Sequence, residues 1–185
     1  MQGRDCNNNV DSRGASLFRE FWRVPFDSVD PIDTLTGPNL GDNTVRDKVF
    51  EALGNAVRAL KKAGFSADDA LGTLQYRDTK GGRVMVHGGD EFEGVLNKIG
   101  SMLPVAATEK GFTLDYGASY LRTVTFDERG PLAQGLLTYG QSSDPSSPYA
   151  FDQLLSFSRK QWIDLPFHPR NIDAQSVGPV LLLRR

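Results

Sequence analysis

The spacing of hydrophobic residues changes along this chain, and the order of the changes restricts the fold class. Residues 42–63 carry an apolar stripe at helical spacing that ends before Gly64, a residue type suited to the position just after a helix. Segment 118–139 has the pattern of two strands around a turn, and a helical pattern returns over 149–162. Helices followed by a strand cluster, rather than alternating strands and helices, predict an α+β fold. The stripe on 42–63 comprises Val45, Val49, Leu53, Val57 and Leu60.

Shorter elements are predicted between these. A helix is expected to follow the capping residue types Asp11 and Ser12 and to end at Arg23. Residues 24–41 lose all periodicity and predict an extended crossing over a surface. The remaining predictions are a capped helical turn at 66–69 closed by Gly72, a strand at 83–86, alternation of Phe112, Leu114 and Tyr116, a buried helix side formed by Phe151, Leu154, Leu155 and Phe157, and a strand at 180–183.

Length, charge and cysteine content exclude several classes. A chain of 185 residues has room for one ordinary domain, and 21 basic against 23 acidic residues without a basic tract argue against a nucleic-acid partner. The longest apolar stretch, 177–183, is too short for a membrane span, and residues 1–9 contain no apolar segment of a secretory signal. The single Cys6 is either an incidental thiol or the partner of a cysteine on another segment.

One motif suggests hydrolase chemistry. His87-Gly88-Gly89 after a predicted strand is typical of the oxyanion loop of lipase-type α/β-hydrolases, in which backbone N–H groups face the developing charge. That family also needs a Gly-x-Ser-x-Gly elbow, which is absent here, and the loop around Ser142 does not replace it. The simpler interpretation is a glycine turn whose histidine forms local hydrogen bonds.

The other candidates are weaker. His168 has no neighbouring motif that would make it part of a Ser/His/Asp arrangement. Asp27, Asp30 and Asp33 lack the glycine and the closing glutamate of a calcium loop, so turn capping explains them better. From the residues alone, we assign no catalytic, cofactor-binding or metal-ligating residue to this chain.

Several segments, taken in one order, resemble a known family. The run from Tyr120 to Tyr149, with Gly-Gln-Ser at 140–142, leads into a helix containing Asp152-Gln153 and ending at Lys160-Gln161-Trp162. This closely resembles the C-terminal part of the penicillin acylase family, nearest to the branch with acyl-homoserine lactone and aculeacin acylases. Four further segments agree in order, namely Asp11 to Trp22, Val24 to Asp27, His87 to Asn97 and Leu165 to Phe167.

The resemblance implies an N-terminal-nucleophile hydrolase with a four-layer αββα sandwich. In such enzymes a secreted or periplasmic precursor cuts itself into a small α chain and a large β chain, whose new N-terminal Ser attacks an amide with its own α-amino group as the base. This chain begins with Met1-Gln2, and the nucleophile, the oxyanion Asn and any structural calcium of the family lie upstream of the matching portion. The resemblance therefore transfers no catalytic residue.

These observations predict a C-terminal fragment of an acylase β subunit, inactive alone and disordered over 1–10, with a partial penicillin-acylase β-chain domain over 11–185. Its expected partners are the α chain and the N-terminal part of the β chain, and a small N-acyl amide is the substrate of the intact enzyme. Alternatives are a free-standing binding domain without catalysis, or a small esterase that depends on His87 or Ser142. We also expect apolar faces such as Leu17, Phe21 and Trp22 to be incompletely covered.

Overall fold

The computed structural model describes residues 7–23, 43–89, 99–100, 106–112, 114 and 116–178. These residues form two compact units, one up to Ala118 and one from Ser119. The first contains α1 (Ala15–Arg23), α2 (Asn43–Lys62), α3 (Leu71–Leu74), β1 (Tyr76–Thr79), β2 (Gly82–Met85), β3 (Ile99–Gly100) and β4 (Tyr116–Gly117). The second contains β5 (Leu121–Asp127), β6 (Gly130–Leu136), α4 (Leu154–Ser158), β7 (Ile163–Leu165) and α5 (Pro169–Gln175).

Mixed helices and antiparallel sheets confirm the predicted α+β class. Each strand pair within the described ranges is antiparallel, with orders β1-β2, β3-β4 and β5-β6-β7. The predicted crossing at 24–41, the strand at 180–183 and Cys6 lie outside the described residues.

The core of the first unit lies between α1, the end of α2 and α3. Its buried side chains are Ala15, Leu60, Leu71, Leu74 and Phe112, with Leu17 and Phe65 packed against them. Phe21 is buried, whereas Leu17 and Trp22 are half-buried, so the expectation of incomplete cover was wrong for Phe21. Burial of apolar side chains from segments distant in sequence is what stabilises this unit.

The predicted helix over 42–63 is confirmed as α2, including its end. Gly64 has a φ of +89°, and the N–H of Phe65 donates to the carbonyl of Leu60 at 2.9 Å. This is the hydrogen-bond pattern of a glycine C-cap, which satisfies carbonyls that the helix itself leaves unpaired. Of the predicted stripe, Leu60 is buried but Val57 is exposed, and Ala56 takes the buried position.

The short helix after α2 begins later than predicted. Residues 66–69 form a turn, in which the Asp69 carboxylate accepts from the N–H of Ser66 at 2.8 Å. The helix is α3, and Gly72 lies inside it rather than closing it. The reason is tertiary: the N–H groups of Leu71 and Gly72 donate to the carbonyls of Ser12 (2.9 Å) and Val10 (2.8 Å). The segment before α1 therefore sets where α3 starts.

The predicted hairpin at 118–139 is confirmed as β5 and β6. Asp127 pairs with Gly130 across a two-residue loop, and Gly130 has a φ of +111° that glycine adopts at little cost. Strand β7 adds to the other side of β6, with Leu165 opposite Ala133. The sequence predictions did not include β7 or α5.

The helix predicted over 149–162 is shorter in the structure, where α4 spans only Leu154–Ser158. Leu154 and Phe157 are buried as predicted, but Leu155 is exposed. The preceding residues are held in another conformation by the loop before them, because the carbonyl of Tyr149 accepts from the N–H of Gln141 at 2.8 Å. Of the segment 112–116, for which alternation was predicted, the described residue Tyr116 belongs to a strand, β4.

Candidate functional site

The His87-Gly88-Gly89 loop follows β2 and is buried. It is held on one side by Gln75, whose side-chain amide donates to the carbonyls of Val86 (3.0 Å) and Gly88 (2.9 Å). On the other side, the N–H of Gly88 donates to the carbonyl of Asn8 at 2.9 Å. An oxyanion site needs N–H donors free to face a substrate. Since the Gly88 N–H is already used, the geometry does not support an oxyanion role for this N–H group.

Gln75 links this loop to α1. It is fully buried at the junction between α3 and β1, and its side-chain oxygen accepts from Nη1 of Arg19 at 2.9 Å. The Arg19 guanidinium in turn lies 4.3 Å from the centre of the Phe112 ring, a cation–π distance. A buried guanidinium requires such partners, because an unpaired charge away from water is costly.

A second buried charge lies one residue further along α1. Glu20 is fully buried, and its carboxylate accepts from the backbone N–H of Ala107 and, at 2.9 Å, from Nε of Arg23. The carboxylate thus fixes the segment around residue 107 against α1. Each of these polar groups serves an internal partner, which is the pattern of a structural network rather than of a reaction site.

The Gly-Gln-Ser loop of the second unit is held by the residues just before α4. The Gln141 side chain donates to the Asp152 carboxylate at 2.9 Å, and the Asp152 carboxylate also accepts from the Gln141 N–H at 3.2 Å. The side chain of Gln153 accepts from the N–H of Leu137 at 2.9 Å. At Gly140, a Cβ would collide with the backbone oxygens of Tyr149 and Ala150. The characteristic residues of this motif thus have local structural roles.

Ser142 and His168 are each engaged with backbone groups. The hydroxyl of Ser142 accepts from the N–H of Asp144 at 3.2 Å, within a turn. Nε2 of the exposed His168 donates to the carbonyl of Arg129 at 2.8 Å and so braces the hairpin loop. His87 belongs to the first unit, whereas Ser142 and His168 belong to the second. The esterase alternative gains no geometric support from these contacts.

The carboxylate of Asp144 accepts from both the N–H (2.8 Å) and the hydroxyl (2.8 Å) of Ser146. These hydrogen bonds hold the pKa of Asp144 below its ordinary value, because they favour the charged carboxylate. The carboxylate is exposed and ordered within its own loop, so its charge stabilises a turn.

Asp27, Asp30 and Asp33 lie outside the described residues, and the described ones contain no cluster of three or more His, Cys, Asp or Glu side chains suited to a metal ion. No helix in the described ranges is long and apolar enough to cross a bilayer.

Sequence reasoning missed the buried polar residues Arg19, Glu20 and Gln75. Arg19 and Glu20 follow Ala15 and Ser16 by four residues, so all four share one helix side, and this side is the buried one. The signal was thus present in the spacing. The prediction for α1 used only its apolar residues, so the buried positions of Arg19 and Glu20 were missed.

Comparison with known proteins identifies relatives over most of the chain. A family model described as penicillin amidase matches residues 2–174. The chain is 40% identical over 162 residues to the acyl-homoserine lactone acylase PvdQ of Pseudomonas syringae pv. syringae (strain B728a), covering 88% of this chain and 20% of that protein. It is 30% identical over 178 residues to the aculeacin-A acylase of Actinoplanes utahensis, covering 92% of this chain and 22% of that protein. The chain thus spans about a fifth of the length of these relatives.

Proposed function

Because this chain belongs to the penicillin amidase family, we propose that it is the C-terminal part of an acylase that hydrolyses the amide bond of N-acyl compounds. This membership confirms the family resemblance inferred from the hairpin and the Gly-Gln-Ser loop. The observation that carries the proposal is the 40% identity, over 88% of the chain, to a protein named acyl-homoserine lactone acylase. Acyl-homoserine lactones are accordingly the first substrate class to test, and acylated compounds such as aculeacin or penicillins the next.

Within such an enzyme, this chain supplies scaffold rather than reacting groups. The candidate groups in the described ranges, namely the Gly88 N–H, the Ser142 hydroxyl and the His168 imidazole, each have a partner inside the chain. The nucleophile and the oxyanion donors then come from the α chain and the N-terminal part of the β chain. The αββα sandwich and a periplasmic or secreted location belong to the same proposal.

Activity assays on separated parts test this function. The chain is assayed for release of homoserine lactone from a long-chain acyl-homoserine lactone, alone and co-expressed with the part of the P. syringae relative that it does not match. We expect hydrolysis only in the co-expressed sample, with the intact relative as the positive control. Hydrolysis by the chain alone would place the nucleophile within these residues and contradict the scaffold role.

The same samples distinguish the binding-domain alternative from the proposed acylase function. Saturable binding of the lactone to the chain alone, with no hydrolysis in any sample that contains the complementary part, would favour a binding domain. The esterase alternative predicts ester hydrolysis that is lost in both His87→Ala and Ser142→Ala variants.

A further inference from the structure

Helix α2 carries exposed apolar residues in addition to those that enter the core. Its core side includes the buried Ala56 and Leu60. Phe50 is 62% exposed and Val57 is 40% exposed, with Gly54 between them at spacings of four and three residues. Residues at these spacings lie on one side of a helix. Two exposed apolar side chains on one side of a helix, rather than a single one, indicate a contact surface.

Charged residues continue this side of the helix in both directions. Asp47 precedes Phe50 by three residues, Lys61 follows Val57 by four, and both charged residues are exposed. We name the set Asp47, Phe50, Gly54, Val57 and Lys61 the outer stripe of α2. Its alternating spacing of three and four residues is the spacing at which two helices pack along each other.

The charges on and beside the outer stripe of α2 differ between its two halves. The acidic residues Asp47 and Glu51 lie before Gly54, and the basic residues Arg58 and Lys61 lie after it. A second α2 that runs in the opposite direction therefore brings acidic residues opposite basic ones. A second α2 that runs in the same direction brings like charges together, which is unfavourable. The stripe is thus self-complementary in the antiparallel arrangement.

The other charged residues of α2 lie farther from the line on which two such helices meet. At 3.6 residues per turn, Asp47 and Lys61 are each about 20° round the helix from Gly54, and Glu51 and Arg58 are within about 60° of it. The remaining charged residues are about 80° or more away, namely Arg46, Lys48 and Lys62. The complementary charges are therefore the ones nearest the line of contact.

We propose that the outer stripe of α2 is the contact surface for a second copy of this chain, with the two α2 helices antiparallel and crossing at Gly54. Each Asp47 then faces Lys61 of the other copy, and each Glu51 faces Arg58. The occupant is a second copy because the same sequence supplies the inverted order of charges, as an isologous two-fold interface requires. One helix pair buries less than about 1,200 Å², so this dimer is weak and sensitive to salt.

Charge reversal at the two ends of the stripe tests this arrangement. Asp47→Lys places basic residues opposite each other at both ends of the dimer, and Lys61→Asp does the same with acidic residues. An equimolar mixture of the two variants restores opposite charges at both ends. Lys48→Glu reverses an exposed charge away from the stripe and is the matched control. Sedimentation velocity over a concentration series measures dimerisation of each full-length chain, and circular dichroism verifies folding.

We expect the wild-type chain to dimerise and each single reversal to weaken dimerisation about tenfold, because two exposed attractive pairs become repulsive. The mixture should return to within about threefold of the wild-type dissociation constant, and Lys48→Glu should change it by less than about twofold. A wild-type chain that stays monomeric up to about 1 mM would overturn the proposal. A mixture that dimerises no better than Asp47→Lys or Lys61→Asp alone would overturn it as well.

The apolar part of the stripe has its own variant. We expect Phe50→Lys to weaken dimerisation about tenfold or more, since it removes the most exposed apolar side chain of the stripe and adds a charge there. An effect no larger than that of Lys48→Glu would contradict a contact through Phe50.

The second unit offers a different route to self-association, because β5 pairs only with β6 within the described residues and Phe126 is exposed. Val124→Lys/Phe126→Lys tests this route, with Leu132→Lys on the opposite face of the same sheet as its control. Loss of the dimer in Val124→Lys/Phe126→Lys, with no effect of Asp47→Lys, would assign self-association to the second unit and overturn the proposal.

The remaining part of an acylase is the other possible occupant of the stripe. The tagged chain is therefore also co-expressed with the part of the P. syringae relative that it does not match. A dimer that persists in this sample supports the proposal. Loss of the dimer there, together with weaker capture of that part by Phe50→Lys, would assign the stripe to that part instead. None of these outcomes depends on lactone hydrolysis, so failure of this inference is distinguishable from failure of the proposed function.

Discussion

The side chain of Gln75 joins three segments that are far apart in the sequence. Its oxygen holds Arg19 of α1, and its amide group holds the loop that begins at His87. A residue with every side-chain polar group engaged and no exposure has few tolerated replacements. Leucine has a similar size and no hydrogen-bonding capacity, so it tests the polar role alone.

We expect Gln75→Leu to lower the free energy of unfolding by about 3 kcal/mol or more, because the Arg19 guanidinium and two backbone carbonyls stay buried without this partner. Gln141→Leu is the control, since it removes an exposed amide bonded to Asp152 and should cost about 1 kcal/mol at most. Urea denaturation of both variants measures the difference. An equal loss of unfolding free energy in the two variants would show that the buried hydrogen bonds of Gln75 stabilise the chain no more than the exposed one of Gln141.

Alanine substitutions at two glycines with positive φ distinguish the effect of backbone strain from that of steric overlap. Gly111 has a φ of +77° and Gly64 a φ of +89°, so an alanine is strained at both. At Gly64 a Cβ meets no atom within 4 Å, whereas at Gly111 it would overlap the carbonyl group of Leu74. We expect Gly64→Ala to cost about 1 kcal/mol and Gly111→Ala about 2 kcal/mol more. Thermal denaturation that gives equal shifts would contradict the close approach of residue 111 to α3.

At the scale of elements, the β1-β2 hairpin is joined by a side-chain pair. Arg83 donates from Nε to the Asp78 carboxylate at 2.9 Å, and its guanidinium lies 3.5 Å from the centre of the Tyr76 ring. The hydrogen bond from Arg83, more than its charge alone, holds the pKa of Asp78 below its ordinary value of 3.8. The pKa of Asp78 is lower in the folded chain than in the unfolded chain. The pair therefore stabilises the hairpin fully at pH values above the ordinary pKa of 3.8, and this contribution is lost as the pH falls through the folded-state pKa.

An NMR titration of the Asp78 carboxyl measures this effect. We expect a pKa below 3.8 in the wild-type chain and a return toward 3.8 in the Arg83→Gln variant. Both groups are exposed, so the effect on stability is small and weakens with salt. A pKa that is the same in the variant and the wild-type chain would show that Arg83 does not hold the carboxylate.

At the scale of the whole molecule, the two units differ in how much apolar surface they cover. The first buries Phe21 of α1 and leucines of α2 and α3, although Phe50 of α2 is exposed, whereas the second exposes Phe126, Leu132 and Phe167 among others. Exposed apolar surface beside an open strand edge promotes association once the chain is heated. The second unit is therefore the expected origin of aggregation in the isolated chain.

We expect the isolated chain to aggregate on heating, with Val124→Lys/Phe126→Lys together lengthening the aggregation half-time at a fixed temperature by a factor of about two or more. Light scattering of the wild-type chain, this double variant and the Leu132→Lys control measures it. Reversible, cooperative thermal unfolding of a purified wild-type monomer would contradict the expectation.

The sequence by itself determined the features whose hydrogen bonds and turn chemistry are local. Helix α2 ends just before Gly64, as predicted, because a helix and its glycine cap use partners within a few residues. The β5-β6 hairpin follows from alternation around a two-residue loop before Gly130. The family was also evident, since several motifs occur in one order.

Only the tertiary structure decided the features whose partners are distant. Arg19 and Gln75 are 56 residues apart and Glu20 and Ala107 are 87 apart, so no local pattern could pair them. The start of α3 depends on carbonyls before α1, and the short α4 depends on the loop that holds Tyr149. Propensity is a weak preference of a few tenths of a kcal/mol per residue, which buried contacts between distant segments readily override.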